Sequence, residues 1–177
     1  MGCDIHVRVE TRDTEGRWRR VAPTPGTVEY SYSHPLERGG LRPLENHEIR
    51  YHPVNGDPPI VTTYQGAWDL AREHGFPRER DYSVFSLLSG VRSSFPGMFG
   101  RGLPDDADLV GTGEDSCCHD DPRSVDSHTP DHAMLHDLLA LGQMATNYQH
   151  TDFFRWVLAL SERFDPAATR VIWWFDN

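Results

Sequence analysis

The feature that most constrains the fold is the stretch from Arg170 to Asp176. It places Val171, Trp173 and Phe175 on one side of an extended chain and Ile172 and Trp174 on the other. A strand that is apolar on both sides belongs inside a sheet covered on both faces. The first residues follow a different pattern. From Cys3 to Glu10 the chain alternates, with Cys3, Ile5, Val7 and Val9 on one face and Asp4, His6, Arg8 and Glu10 on the other. Asp13-Thr14-Glu15-Gly16 reads as a turn and Arg17 to Val21 as a returning strand, which predicts an N-terminal hairpin. On this reading Arg8 and Glu10 belong to a solvated strand face.

Residues 22–60 are rich in Pro, Gly and Arg and show little periodicity, so they are expected to be irregular apart from a short strand near Glu48 to Tyr51. Gly66 to His74 suits a helix closed by Gly75 and Pro77. Asp81 is placed to cap a second helix carrying Val84, Phe85, Leu87, Leu88 and Val91. Residues 93–127 form a long irregular loop, longer than an idle connection normally is. Thr129 and Pro130 then suit the N-cap and first turn of a third helix with its stripe on Met134, Leu135, Leu138, Leu139 and Leu141, ending near Asn147. A fourth helix should start at Thr151 or Asp152 and stop at Asp165-Pro166. A chain of 177 residues with 37% hydrophobic content supports one core. The expectation is therefore a single α+β domain over 1–177, with a mixed or antiparallel sheet containing the N-terminal hairpin and C-terminal strand, packed with about four helices.

Several classes are disfavoured. No apolar run has the length of a membrane span and no leader pattern opens the chain, which points to a soluble cytoplasmic protein with no membrane partner. Cys3, Cys117 and Cys118 are a poor basis for a disulfide framework and fit a reducing compartment. The formal charge of −10 opposes duplex nucleic acid as a partner. All 17 basic residues are arginine, a planar fork suited to carboxylate or phosphate. There is no Walker loop, dinucleotide fingerprint or nucleophile elbow.

Asp4 and His6 lie two apart on a strand, about 6.6 Å between Cα atoms, and can share one cation. If the first and last strands are antiparallel neighbours, Asp4 approaches Asp176 and His6 approaches Trp174, while His128 can enter from the long loop. Asp4, His6, His128 and Asp176 then form a shell for one divalent metal, manganese or zinc, or for two with Asp126, leaving a position open for water. His128, His132 and His136 are spaced by four, but His132 and His136 are expected as partly exposed residues of the third helix. Cys117-Cys118-His119-Asp120-Asp121 lacks the spacer of a zinc site, and Cys3, opposite His6 in the alternation, reads as a buried structural thiol. Arg92 and Arg101 are candidates for gripping an anion.

These residues resemble a family of small uncharacterised proteins encoded by bacteriophages and some bacteria. The resemblance lies in Cys3-Asp4-Ile5-His6 with Val9-Glu10, in Arg80-Asp81-Tyr82 with Phe85-Ser86-Leu87-Leu88, in Gly90-Val91-Arg92 and in Arg101-Gly102-Leu103-Pro104. It continues in Asp126 with His128 and in Trp174-Phe175-Asp176-Asn177. Thr129-Pro130 departs from the Ser-rich run expected after the histidine, and Cys117-Cys118-His119 is peculiar to this chain. The resemblance implies no activity, but it marks Asp4, His6, His128, Asp176, Arg92 and Arg101. Metal ligands beside arginines are what phosphoester hydrolysis requires. The leading expectation is a metal-dependent hydrolase of a phosphate-containing small molecule or nucleotide. The alternative is a non-catalytic phage or bacterial binding protein that sequesters a small ligand or a host protein.

Overall fold

The fold is that of a computed structural model, which describes residues 5–30, 49–73, 82–91, 93–94, 96–109, 122–123 and 127–176; of Tyr30, Ser127, His128 and Asp176 only the backbone is described. It is α+β, and the described residues form two antiparallel sheets and four α-helices. The larger sheet contains β1 (Ile5–Arg12), β2 (Trp18–Arg20), β6 (Ser127–Met134) and β7 (Thr169–Asp176) in the order β2-β1-β7-β6. The smaller contains β3 (Val28–Tyr30), β4 (Ile49–Tyr51) and β5 (Ile60–Thr62) in that order. The helices are α1 (Tyr64–Glu73), α2 (Tyr82–Ser89), α3 (Leu135–Met144) and α4 (Asp152–Arg163).

The two-faced apolar strand is β7, and it occupies an inner position between β1 and β6. Its Val171, Trp173 and Phe175 join Val9 of β1, Val84, Phe85 and Leu88 of α2, Leu135 and Leu138 of α3, and Phe153, Trp156 and Leu160 of α4 in one core. The Phe85 ring meets Trp173 at 6.5 Å and Phe175 at 5.5 Å, both edge to face, and Phe153 at 5.4 Å. Ile172 and Trp174 on the other face are also buried. The first and last strands pair antiparallel, with Ile5 opposite Phe175, His6 opposite Trp174 and Glu10 opposite Arg170.

Three expectations need correction. The short strand expected near Glu48 to Tyr51 is β4, but it is flanked by the unexpected β3 and β5, and a second small core of Ile49, Tyr51, Ala67 and Ala71 forms under α1; three-residue strands are too short to show a period of two. Thr129 and Pro130 do not start a helix. They lie in β6, with a bulge between His128 and Asp131 and Thr129 at φ 50°, and α3 begins at Leu135. A buried inner strand must satisfy the backbone groups on both of its edges, and this demand on β7 outweighs local capping preference. His132 therefore sits on a strand, while His136 is exposed on α3 as expected. Finally, α1 starts before Gly66, because the Thr63 hydroxyl accepts from the Gly66 N–H at 3.1 Å in the manner of an N-cap. Gly75, Pro77 and Asp81 lie outside the described residues.

The hairpin turn is held by Asp13, whose carboxylate accepts the backbone N–H groups of Arg17 and Glu15 at 2.9 Å each and the guanidinium groups of Arg19 and Arg17 at 3.0 and 3.2 Å. The Arg17 N–H contributes most to lowering its pKa from 3.8 to about 2, with Arg19 also favouring the ionised form. A folded value below the unfolded one adds stability that is present above pH 3.8 and lost as pH falls toward 2. An NMR titration of Asp13 should show a midpoint near 2, and Asp13→Asn should abolish this part of the acid sensitivity. In the core, Phe85→Ala should cost about 3–5 kcal/mol in urea unfolding; a loss below about 1 kcal/mol would show that the ring cluster does not hold the sheet to α2.

Candidate functional site

The sheet face opposite the helices is polar and largely buried, which corrects its reading as a solvated surface. Arg8 is 1% exposed, Glu10 0% and Arg170 4%. Glu10 and Arg170 are register partners on β1 and β7, and the single oxygen Glu10 Oε2 accepts both Arg170 Nε at 2.8 Å and Nη2 at 2.7 Å in a charge-assisted pair. Trp18 of β2 packs under the Arg170 guanidinium at 4.1 Å and the Arg12 guanidinium at 4.9 Å.

The cover over this face is a strap, residues 99–109, which starts on the helix side, turns round the β6 edge and crosses the strands in the order β6, β7, β1, β2. At the start, the Phe99 ring packs on Trp173 at 6.0 Å. At the edge, Asp131 is 1% exposed and its carboxylate accepts four bonds. Oδ1 takes the N–H groups of Arg101 and His132 at 2.8 Å; Oδ2 takes the Gly100 N–H at 2.8 Å and the Ser89 hydroxyl at 2.9 Å. Ser89 in turn accepts the Trp173 indole N–H at 2.6 Å. A carboxylate buried beside an apolar core is tolerated because its lone pairs are satisfied. Gly100 and Gly102 supply φ of 66° and 75° at the bend, where side chains are disfavoured.

Over the sheet, His132 Nδ1 lies 2.7 Å from the Gly102 carbonyl, which can only accept, so Nδ1 carries the proton. Asp106 Oδ1 accepts Arg170 Nη1 at 2.7 Å, and the Asp106 carbonyl accepts Nη2 at 3.1 Å. The Asp108 N–H donates to Glu10 Oε1 at 2.9 Å, its carbonyl accepts Arg8 Nη1 at 3.2 Å, and its carboxylate accepts the Arg20 N–H at 2.9 Å. The hydrogen bond from Arg170 is the main reason why the Asp106 carboxyl lies below its ordinary 3.8.

At one end of the same sheet stands His6, one of the expected metal ligands. The His6 ring stacks on Trp174 with centroids 5.5 Å apart and planes at 19°, and the Arg8 guanidinium lies 5.6 Å from the same indole. Ser127 pairs with Asp176 and His128 with Phe175, so the backbones of β6 and β7 reach this end together. His128 is thus one position out of phase with the row of His6 and Trp174. Asp4 and Asp126 lie outside the described residues, as do Arg92 and the cluster at Cys117 and Cys118, and Cys3 with them; the side chains of His128 and Asp176 are likewise not described. Among the described residues no group of three or more His, Cys, Asp or Glu is arranged to hold a metal ion. Arg101 is 45% exposed, with Nη1 3.2 Å from Asp137 Oδ2 and its guanidinium 5.3 Å from the Phe99 ring. His136 Nε2 reaches the other Asp137 oxygen at 3.2 Å.

Sequence reasoning missed Glu10, Asp106, Asp108, Asp131 and Arg170 as a connected group. A signal existed in Arg170, a charge opening an otherwise apolar strand, but its partners lie 64 and 160 residues away. Comparison with protein-family models, with curated proteins and with solved structures finds no match to this chain. Among the described residues no helix is long and apolar enough to cross a membrane.

Glu10→Ala should destabilise the protein by about 3–5 kcal/mol in urea unfolding, because it removes the buried carboxylate that pairs with the buried Arg170. Asp106 gives a pH signature. Its lowered value adds stability above its ordinary 3.8 that is lost as pH falls through the folded value. Asp106→Asn should therefore flatten the acid limb of the stability curve.

Proposed function

We propose that this chain is a metal-dependent hydrolase of a phosphate-containing small molecule or nucleotide, with Asp4, His6, His128 and Asp176 as cation ligands and Arg92 and Arg101 as anion-binding groups. The observation that supports this is the meeting, at one end of the sheet, of the start of β1, the end of β7 and the start of β6. These segments lie far apart in sequence, and each carries one of the proposed ligands, His6, Asp176 and His128. Carboxylate and neutral imidazole suit manganese or zinc. A divalent cation there would lower the pKa of bound water and polarise a phosphoryl oxygen. The role of Arg101 in anion binding requires it to exchange Asp137 for the substrate, a swap that its exposure permits.

Titration calorimetry with manganese and zinc tests the reading. Wild-type protein should bind one of the two, and His6→Ala and Asp176→Asn should each weaken binding by roughly the 10- to 100-fold that loss of even an outer-shell partner costs, or more. Binding should weaken on acidification, since imidazole ligands must be neutral. Equal affinity in all three proteins, or no heat with either metal, would remove the metal reading.

The second reading, a non-catalytic binding protein, is favoured by a groove of about 330 Å³ lined by Leu139, Gly142, Phe154, Val157 and Leu158, with Gln143, Gln149 and His150 also on its wall. Its size lies within the range of small-molecule sites. Absence of metal binding would move the preference to this groove.

A further inference from the structure

Among the described side chains the β1, β2 and β7 part of this sheet face carries more positive than negative charge. Arg8, Arg12 and Glu10 stand on β1, Arg170 on β7 and Arg20 on β2, so among the described side chains of these strands four arginines share the face with Glu10. In a chain of net charge −10 this concentration is not a consequence of composition. The strap engages this set. The Asp106 carboxylate pairs with the Arg170 guanidinium, the Asp108 backbone carbonyl accepts from the Arg8 guanidinium, and the Asp108 carboxylate accepts the backbone N–H of Arg20. Two indoles flank the set, Trp18 between Arg12 and Arg170, and Trp174 beside Arg8. Arg20 Nε is buried and has no hydrogen-bond partner among the described residues.

We propose that the sheet face of Arg8, Arg12, Arg20 and Arg170 is an anion-binding site for a phosphate-bearing ligand, held shut by the chain's own acidic strap at Asp106 and Asp108. The strap carboxylate on Arg170 occupies the place that a ligand phosphoryl oxygen takes when the strap lifts. Planar guanidinium groups suit both. The hinge lies at Gly100 and Gly102, and Asp131 keeps the near end of the strap fastened while the far end releases. The contact that must break at Asp106 is the accessible one: its side chain is 66% exposed, while that of Arg170 is 5% exposed. The face adjoins His6 through Trp174, so an anion seated at Arg8 lies toward the proposed cation ligands. The inference deepens the proposed function and rests on it only for the choice of phosphate as the anion; the strap geometry does not involve a metal.

Inorganic pyrophosphate titrated in the presence of EDTA tests the strap independently of any cation. Because the closed strap reduces the fraction of competent molecules, Asp106→Asn should bind pyrophosphate about tenfold more tightly than wild type. Asp106 is exposed, so this variant should fold. Pyrophosphate should also speed hydrogen exchange at the Asp108 amide, which loses Glu10, while the Val171 and Trp173 amides in β7 stay protected. Arg17→Gln, which removes an exposed arginine outside the four, should leave affinity unchanged. The proposal is overturned if neither protein binds pyrophosphate, if Asp106→Asn binds no more tightly than wild type, or if Arg17→Gln abolishes binding. It is also overturned if the Asp108 amide stays as protected with the ligand as without it. A metal titration that fails while pyrophosphate still binds would remove the cation site and leave the strap standing.

Discussion

The buried pair of Glu10 and Arg170 is the interaction on which the polar half of the molecule depends. Both side chains sit in the middle of a sheet, on directly opposed residues of its two inner strands, where water cannot solvate them. Such a pair gains little net stability over an apolar substitute, yet removal of either partner leaves a stranded charge. Its remaining hydrogen-bonding capacity must therefore be met by other parts of the chain. Asp106 takes the free side of Arg170, and the Asp108 N–H takes the free oxygen of Glu10. The path of the strap follows from this requirement.

Asp131 solves the corresponding problem at the sheet edge. One carboxylate joins the end of α2 through Ser89, the bend of the strap through two backbone N–H groups, and the core through Trp173 and Ser89. It ties the apolar face to the polar one. The bulge in β6 falls immediately before it, between His128 and Asp131. Bulges are frequent at sheet edges and beside functional sites, where they change the direction of a strand.

The two faces of β7 thus have different tasks. Trp173 and Phe175 pack against helices and contribute through area removed from water. Trp174 forms a platform on the other side, with the His6 ring stacked on it and the Arg8 guanidinium near it. An imidazole and a guanidinium held on one indole have restricted freedom, and preorganised groups lose less entropy on binding a ligand than free ones. His6 and the strap-covered Arg8 are therefore parts of one surface.

Local patterning alone determined much of this protein. The period-two alternation of residues 3–10 and the two-faced apolar run of 171–175 identified β1 and β7, and the apolar stripes identified α2, α3 and α4, because those signals depend only on spacing along the chain. Pairing of the first strand with the last, with His6 opposite Trp174, was also legible as the arrangement that would bring Asp4 and Asp176 together. Tertiary structure alone decided the rest. Thr129 and Pro130 look like a helix start, but β7 needed a second strand partner, and backbone hydrogen bonding on a buried edge outweighs a cap. Arg8 and Glu10 look like solvated residues in any window of the sequence. They are buried because Arg170, 160 residues from Glu10, and a strap about 100 residues from β1 come to cover them. Whether a charge is solvated or paired depends on what the fold lays over it, and spacing along the chain carries no information about that.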